Sequence, residues 1–455
     1  MSTATQTDLS AIKTRVDRVA RHHRIWFWGV SGVLAVYLAI SWVQFEIGSV
    51  IEKWRPDRAA LFVLDTYAHK DHVTMRWKTP EEVTVAFEGG RREVYDPKPD
   101  WFIDQGAEGR VVTFENGGAM TLHRTHVTMD WPGYAETFEF RLNADNKPYV
   151  VGYETQLDQL PDWMRQTANK IEIRPSLYER LQVGTLKVEI HRYEIGWKYF
   201  WFDFDSPLVG KGLFDGIGLM FASERVVPEM SNARLVWTEF RDNALWQHGT
   251  VLHAMVETLF MALLGTMIAS AVGLPLAFMA ARNVQPSMGI RFLLRRFFDL
   301  LRGIDTLIWS LIFLRAFGPG LFTGIFAIAF TDTGTLGKLM SEAIENADDK
   351  QREGIQSTGA SKVQQHRFGI LPQIMPVFIS QSLYYLESNT RSAVIIGAMG
   401  AGGIGLQFLG ALQTGSDFEN VAYMALLVLI TVIAMDTVSA RLRSVLIGHH
   451  VAAMN

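Results

Sequence analysis

The chain contains no cysteine among its 455 residues. Disulfide bonds, thiolate metal sites and thiol nucleophiles are therefore excluded, although this absence says little about the cellular compartment. Net charge is nearly absent as well, because 43 basic residues almost balance 47 acidic ones and leave a formal charge of −4. A charge so close to zero favours no polyanionic partner, so nucleic-acid binding is not expected.

The chain also lacks an ATP-binding motif. A P-loop reads G-x-x-x-x-G-K-[ST], and the nearest strings surround Lys211 and Lys338. Neither string has the first glycine at the required spacing or a hydroxyl residue after the lysine. Because no nucleophile–base set is visible either, we predict no catalytic residue and no cofactor. Uphill transport by this chain would need an ion gradient or a partner subunit.

Long apolar runs are present, and the first lies near the N-terminus. Residues 1–24 form a basic tail, and residues 25–44 carry no charge. About 20 such residues span a bilayer core as a helix, and the basic tail places the N-terminus in the cytoplasm. A cleaved signal peptide is disfavoured, because the run is too long and no A-x-A-like site follows it.

Residues 45–196 have the pattern of a soluble, β-rich domain. Short stretches with alternating polar and apolar residues, such as 120–129, are separated by turn sequences such as 115–118. We predict an extracytoplasmic antiparallel β-domain with a short helix over 161–169. His123 and His126 would point to opposite faces of one strand, so no metal site is predicted.

Apolar stretches return in the second half. Residues 197–248 are read either as an aromatic segment lying at the membrane interface or as a linker with surface helices. Further spans are predicted over 251–281, 297–317, 321–339, 373–396 and 421–439. With the first span they make about six transmembrane helices, and the basic clusters place both termini in the cytoplasm. The predicted fold is thus an α-helical integral membrane protein whose core, 249–447, follows an inserted β-rich domain.

A polar segment, 342–372, interrupts the apolar core. Gly359 allows a sharp bend between two short helices, and Pro372 suits the first turn of the next span. A short amphipathic helix that docks in a partner's groove is a familiar recognition mode. An ordinary solvated loop fits the same pattern equally well.

Charged residues and glycines mark the following span. Glu387 and Arg391 are four residues apart and can pair on one helix face, which inside a membrane indicates either a functional site or a salt bridge that fixes helix packing. Gly400, Gly402 and Gly405 form a G-x-G-x-x-G string, but an apolar helix precedes it where a dinucleotide fold needs a strand. Close helix approach or an unwound turn at a cavity is favoured instead.

The polar segment resembles a known motif. Glu353, Gly359 and Leu371-Pro372 fall at the spacing of the E-A-A-x3-G-x9-I-x-L-P loop of permease subunits of ATP-binding-cassette importers. The positions that depart from it are Gly354, Ile355 and Gly369. The likeness is therefore to the spacing of that loop and to the glycine at its bend, and not to its two alanines or its isoleucine.

Two further stretches resemble the phosphonate-importer permease family. Residues 387–405 are similar to its E-x-N-x-R-x-A…G-x-x-G-A-G-G-I-G run, and residues 257–283 to its E-T-L…L-P-L-A…A-A-R-N segment. The β-rich region has no counterpart in the usual short form of that family. By this resemblance, the candidates for the translocation path are Glu387, Asn389, Arg391, Gly400, Gly402, Gly403 and Gly405.

The resemblance implies a fold like that of type I importer permeases, in the bacterial inner membrane. It implies a homodimer that works with two ATPase subunits inside and a solute-binding protein outside, and that carries phosphonate or a related phosphorus oxyanion. Residues 342–372 would couple the spans to the ATPases, through Glu353, Gly359, Leu371 and Pro372. The main alternative is a membrane-anchored receptor whose β-domain senses a ligand.

Overall fold

The computed structural model describes residues 3–52, 56–88, 92–106, 108–414 and 418–452. Contacts divide the chain into two compact units, residues 1–62 and 63–455. The first unit holds α1 (Thr3–Gln44), α2 (Ile47–Glu52) and the start of α3 (Pro56–Tyr67). The basic tail and the first apolar run form one helix, of which Ala20–Gln44 is long and apolar enough to cross a membrane.

The second unit begins with two antiparallel sheets. The strands are β1 (Ala68–Arg76), β2 (Thr79–Glu88), β3 (Arg92–Val94), β4 (Phe102–Asp104), β5 (Arg110–Thr113), β6 (Ala119–Leu122), β7 (His126–Asp130), β8 (Phe138–Leu142), β9 (Pro148–Val150), β10 (Met164–Gln166), β11 (Lys170–Ile173), β12 (Glu179–Gly184) and β13 (Lys187–Ile195). One sheet has the order β10-β11-β12-β13-β1-β2-β3, and the other runs from β4 to β9 in sequence order. Alternate residues such as Met129, Phe140 and Ile190 are fully buried between the sheets, as expected for half-buried strands.

Two local predictions in this region are wrong. The helix predicted over 161–169 is replaced by β10, in which Met164 is buried and Arg165 is exposed with the period of a strand. The single strand predicted over 120–129 is a hairpin, because the chain turns after Leu122 and the His123 N–H donates to the His126 carbonyl over 3.0 Å.

That hairpin changes the arrangement of the histidine pair. The rings of His123 and His126 do not point to opposite faces but stack with 4.2 Å between centroids. Burial, followed by the neighbouring His123 ring, lowers the pKa of His126 below its ordinary value. The lowered pKa favours the neutral form of His126.

The rest of the second unit is helical. Its helices are α4 (Leu213–Met220), α5 (Asn232–Arg241), α6 (His248–Ala280), α7 (Met288–Gly303), α8 (Thr306–Phe317), α9 (Leu321–Glu345), α10 (Asp349–Gln356), α11 (Lys362–Gln365), α12 (Leu371–Ile396), α13 (Gly403–Thr414) and α14 (Phe418–Ala452). Besides Ala20–Gln44, the helices His248–Ala280 and Phe418–Leu446 are long and apolar enough to cross a membrane, and the bent pair α12–α13 would make a fourth span. Within the described residues this is fewer than the six predicted.

One of the predicted spans is broken. The continuous span expected over 297–317 is wrong, because α7 ends at Gly303 and α8 starts at Thr306. Between them the Asp305 carboxylate accepts the backbone N–H of Leu307 over 2.8 Å. Aspartate is a preferred N-cap residue, so it starts a new helix where the sequence suggested a continuous one.

Small residues bring α6, α7 and α9 together. A Cβ at Gly265 of α6 would lie 2.7 Å from a methyl group of Ile328 on α9. Another at Gly273 would lie 3.5 Å from the backbone nitrogen of Gly337 on α9, which itself packs on the ring of Phe298 of α7. Such close contact of backbones is typical of helix pairs in membranes.

The sheet and the helices share one apolar cluster. Phe87 of β2 packs with Trp246, Val251 of α6, Ile404 of α13 and Tyr423 of α14. The β-rich region is thus joined by buried side chains to the helices that surround the glycine-rich segment.

Candidate functional site

The glycine-rich segment forms a sharp break between two helices. α12 ends at Ile396 and α13 begins at Gly403, and the two helices are bent by 63°. Between them φ is +110° at Gly400, +93° at Gly402 and +68° at Gly403. Side chains with a Cβ are strained in this region of conformational space, so the break requires glycine.

The same segment packs too closely for side chains. A Cβ at Gly405 would collide with the carbonyl oxygen of Val394, and a Cβ at Gly397 with that of Gly402. The glycines therefore hold α13 against the end of α12. Helix α12, rather than a strand, directly precedes the run, so the arrangement differs from that of a dinucleotide-binding fold.

Helix α6 supports the break from one side. The Glu257 carboxylate accepts the N–H of Gly403 over 3.1 Å, and the Thr258 hydroxyl accepts the N–H of Ile404 over 2.9 Å. These N–H groups open α13 and have no partner within their own helix. The Glu-Thr pair seen in the sequence thus acts as a cap for a helix more than 140 residues away in the chain.

A buried polar cluster lies between α6, α9 and α12. The Asn389 amide nitrogen donates to the Thr266 hydroxyl over 2.8 Å and to the Asp332 carboxylate over 2.5 Å. All three residues are at most 6% exposed. Sequence reasoning identified Asn389 but missed Asp332 and Thr266. The available signal was that Asp332 is the single acidic residue in the apolar stretch 321–339. Ionisable residues in such stretches usually have a function.

A cavity of about 540 Å³ opens beside this cluster, between α6 and α12. Its lining is apolar except for Thr266, Ser270 and Ser382, and the Ser270 hydroxyl donates to that of Ser382 over 3.1 Å. Thr266 lines the cavity and also accepts from Asn389. The polar cluster therefore reaches the cavity wall.

The predicted ion pair is present but is part of a larger group. Glu387 lies 3.1 Å from Arg391 of the same helix and 3.6 Å from Arg443 of α14. The Glu387 side chain is 14% exposed, whereas that of Arg391 is 58% exposed. Glu387 thus links α12 to α14, and Arg391 retains an accessible guanidinium.

The polar segment 342–372 is a helical hairpin. α10 and α11 meet at Gly359, where φ is +79°, and Pro372 lies in the first turn of α12. A Cβ at Gly369 would lie 3.1 Å from the Cα of Arg352 in α10. Glycine at this position, which departs from the resembled motif, allows the two arms of the hairpin to touch.

This hairpin is held at its base and carries exposed apolar side chains on its second arm. Glu345 forms an ion pair with Arg295 of α7, and Arg352 donates to the backbone carbonyl of Asn283 over 3.3 Å. By contrast, Val363 and Phe368 are 76% and 59% exposed. Glu353 is also exposed, whereas Leu371 packs on the buried cluster around Ile370 and Ile374.

A second polar network lies where the β-rich region meets the helices. The Tyr95 hydroxyl donates to Asp71 over 2.6 Å and lies 3.4 Å from the Lys198 ammonium. Burial, followed by the Asp71 carboxylate, raises the pKa of Tyr95 well above its ordinary value. Tyr95 therefore remains a hydrogen-bond donor at every physiological pH.

Comparison with known proteins identifies a family for residues 273–447 of the helical region. Residues 273–447 match the family described as binding-protein-dependent transport system inner membrane component. The chain is 38% identical over 193 residues to a putative phosphite transport system permease protein, HtxC, of Stutzerimonas stutzeri, covering 42% of this chain and 68% of that one. It is 34% identical over 192 residues to the phosphate-import permease protein PhnE of Mycolicibacterium smegmatis, covering 42% and 36%.

Two further likenesses were found. Over 117 residues the chain is 44% identical to a putative cryptic phosphonate transport system permease protein, PhnE2, of Escherichia coli K12, covering 26% of this chain and 95% of that one. Among solved structures, an inward-facing MetNI methionine ABC transporter is 19% identical and covers 43% of this chain and 96% of its own, with a TM-score of 0.40. Residues before 273, including both sheets, lie outside the family match.

Proposed function

The chain belongs to the family of binding-protein-dependent transport system inner membrane components, and on that premise we propose that it is the permease subunit of an ATP-driven importer for phosphonate or a related phosphorus oxyanion. The named substrates of its relatives support this solute class. Two copies would form the pathway, with ATPase subunits on the cytoplasmic side and a solute-binding protein outside. The β-rich region, which lies between two apolar spans in the chain, would be extracytoplasmic, with both termini in the cytoplasm.

The observation that carries the proposal is the helical hairpin of residues 342–372. It presents exposed apolar side chains, Val363 and Phe368, on a polar element beside the apolar core. A short helix that presents such side chains can dock in a groove of a partner protein. Since the chain has no P-loop, an ATPase that binds there would supply the energy for transport.

Motion of the hairpin would pass directly into the helices. Leu371 and Pro372 begin α12 without an intervening loop, and Glu345 fixes the other end to α7. When the ATPases close, the hairpin moves with them as a rigid body and α12 changes its tilt. Glu353 lies on the exposed side, where a partner can reach it, and Gly359 keeps the two arms at their angle.

The solute would pass along α12 near the glycine break. Arg391 offers an accessible guanidinium, which suits the two oxygens of a phosphorus oxyanion. Asn389 ties α12 to α6 and α9, so a tilt of α12 must rearrange the cluster beside the cavity. Gly400, Gly402, Gly403 and Gly405 supply the hinge at which α12 and α13 can change their angle.

The test is a pair of substitutions at Gly359, with ATP hydrolysis measured in proteoliposomes that hold the ATPases, the binding protein and phosphite or phosphonate. Proline cannot adopt the φ of +79° found there, whereas asparagine can. Gly359→Pro should insert in membranes but lose solute-stimulated hydrolysis, and Gly359→Asn should keep most of it. Full stimulation in the proline variant would refute the coupling role of the hairpin.

A further inference from the structure

Three potential ligand side chains meet on one face of the seven-stranded sheet. His69 and Asp71 are two residues apart on β1 and therefore share a face. Glu194 of β13 lies directly opposite His69 in the antiparallel register. One ligand atom from each residue lies within 4.8 Å of the other two, and His69 Nε2 is 3.1 Å from Glu194 Oε2.

The group lacks a partner for one buried oxygen. Asp71 is 1% exposed, and its Oδ1 accepts the Tyr95 hydroxyl over 2.6 Å. Its Oδ2 is buried and has no hydrogen-bond partner among the described residues. A carboxylate held away from water is costly unless a cation balances it, so this oxygen is a candidate ligand for a cation.

The histidine is oriented as a ligand. His69 Nδ1 lies 3.3 Å from the backbone carbonyl of Gly196. A proton on Nδ1 donated to that carbonyl leaves the lone pair of Nε2 facing Glu194. A hydrogen bond of this kind from the second ring nitrogen is what fixes metal-binding histidines in their tautomer.

Among the described residues two basic side chains lie near Glu194: the buried Arg192, whose guanidinium is 3.6 Å away, and Lys198. Lys198 Nζ is 3.9 Å from Glu194 and 3.4 Å from the Tyr95 hydroxyl. Its side chain is one-third exposed, so it can move into solvent when another cation arrives. With its ammonium on Glu194 and Tyr95, Lys198 leaves Asp71 Oδ2 without a hydrogen bond.

We propose that His69, Asp71 and Glu194 bind a divalent transition-metal ion, with Zn²⁺ the best fit. One imidazole nitrogen and two carboxylate oxygens are ligands that zinc accepts, with water in the fourth position. The ion would fasten the ends of β1 and β13 next to Gly196, where the chain leaves the sheet for the helices. The His69 ring stacks on Phe87, which packs against Trp246, so the metal lies at the junction of the two regions.

The experiment uses the full chain in detergent, stripped with a chelator and titrated with Zn²⁺ in equilibrium dialysis with elemental analysis. The wild type should bind one ion per chain at this site. Asp71→Asn keeps the size of the side chain and should weaken binding at least about tenfold, and Glu194→Gln should do the same. Co²⁺ should give ligand-field absorption bands in the wild type that both variants lose.

Two matched controls sharpen the result. His123→Ala removes a histidine from the other sheet and should leave the affinity unchanged, whereas Lys198→Met should leave it unchanged or tighten it. Zinc should also raise the Tm of the wild type and of Lys198→Met, but not that of Asp71→Asn. The proposal is overturned if the wild type shows no saturable binding, or if Asp71→Asn and Glu194→Gln bind as tightly as the wild type. The group would then be an ion-pair network of Glu194 with His69, Arg192 and Lys198.

Discussion

Large apolar side chains face opposite ways in the two regions of the second unit. In the β-rich region they lie inside, where Met129 and Phe140 are 0% exposed. Along α6 most of the buried positions are held by small residues such as Ala262 and Ala269, while Phe260 is 53% exposed. The two regions therefore pack by different rules.

The difference shows which solvent each region is built for. In water, burying apolar surface contributes about 25 cal/mol per Å², so the sheets enclose their largest side chains. Lipid tails are as apolar as the side chains themselves, so helices in a bilayer gain from close contact of small residues instead. A mean apolar content of 48% conceals this contrast, because it averages over both regions.

The largest predicted effect comes from making the same truncation in both regions. Phe140→Ala leaves a cavity between the sheets and should lower the free energy of unfolding of the β-rich region by about 3–5 kcal/mol. Phe260→Ala removes an exposed ring from α6 and should cost less than about 1 kcal/mol. Hydrogen exchange of the β8 and α6 amides in detergent measures both. Equal losses would show that α6 is packed like a water-soluble helix.

A second comparison concerns two glycines on α13. Gly405→Ala places a Cβ against the Val394 carbonyl oxygen and should lower stability by about 1–3 kcal/mol or more. Gly410→Ala meets no atom within 4 Å and should raise stability by up to about 1 kcal/mol, because alanine favours a helix.

Thermal unfolding in detergent gives the sign of each change. A gain in Tm for Gly405→Ala would mean that α13 does not pack on α12 as described.

A smaller effect is expected at the polar cluster. Asn389→Leu removes the donor to Asp332 and Thr266 and should cost about 1 kcal/mol, since hydrogen bonds between membrane helices average about 0.6 kcal/mol. The matched control is Thr390→Val, whose hydroxyl donates only within its own helix, to the Leu386 carbonyl. If both variants unfold alike, the cluster does not hold α12 against α6 and α9.

Local features of the fold could be predicted from the sequence, and the structure bears them out. Gly359 and Pro372 have the backbone roles that their chemistry suggests, and Glu387 pairs with Arg391 as a four-residue spacing allows. Each of these follows from a few neighbouring residues. The same local reasoning was wrong at Asp305, because its capping of α8 outweighed the apolar content of 297–317.

The contacts that could not be predicted from the sequence are those between segments that lie far apart in the chain. Asp332 meets Asn389 only because α9 and α12 pack together, and Glu257 caps a helix far along the chain. The stacking of His123 on His126 likewise depends on a turn that the apolar pattern did not show. Such pairs are set by tertiary packing, which no local window contains.

The central claim is that this chain works as a permease through its helical hairpin, and co-purification from membranes tests it most directly. We predict that mass spectrometry of the detergent-purified chain recovers an ATP-binding-cassette ATPase, and that substitution of the exposed Glu353 abolishes the recovery. Recovery of the chain alone, or with a signalling protein and no ATPase, would contradict the claim.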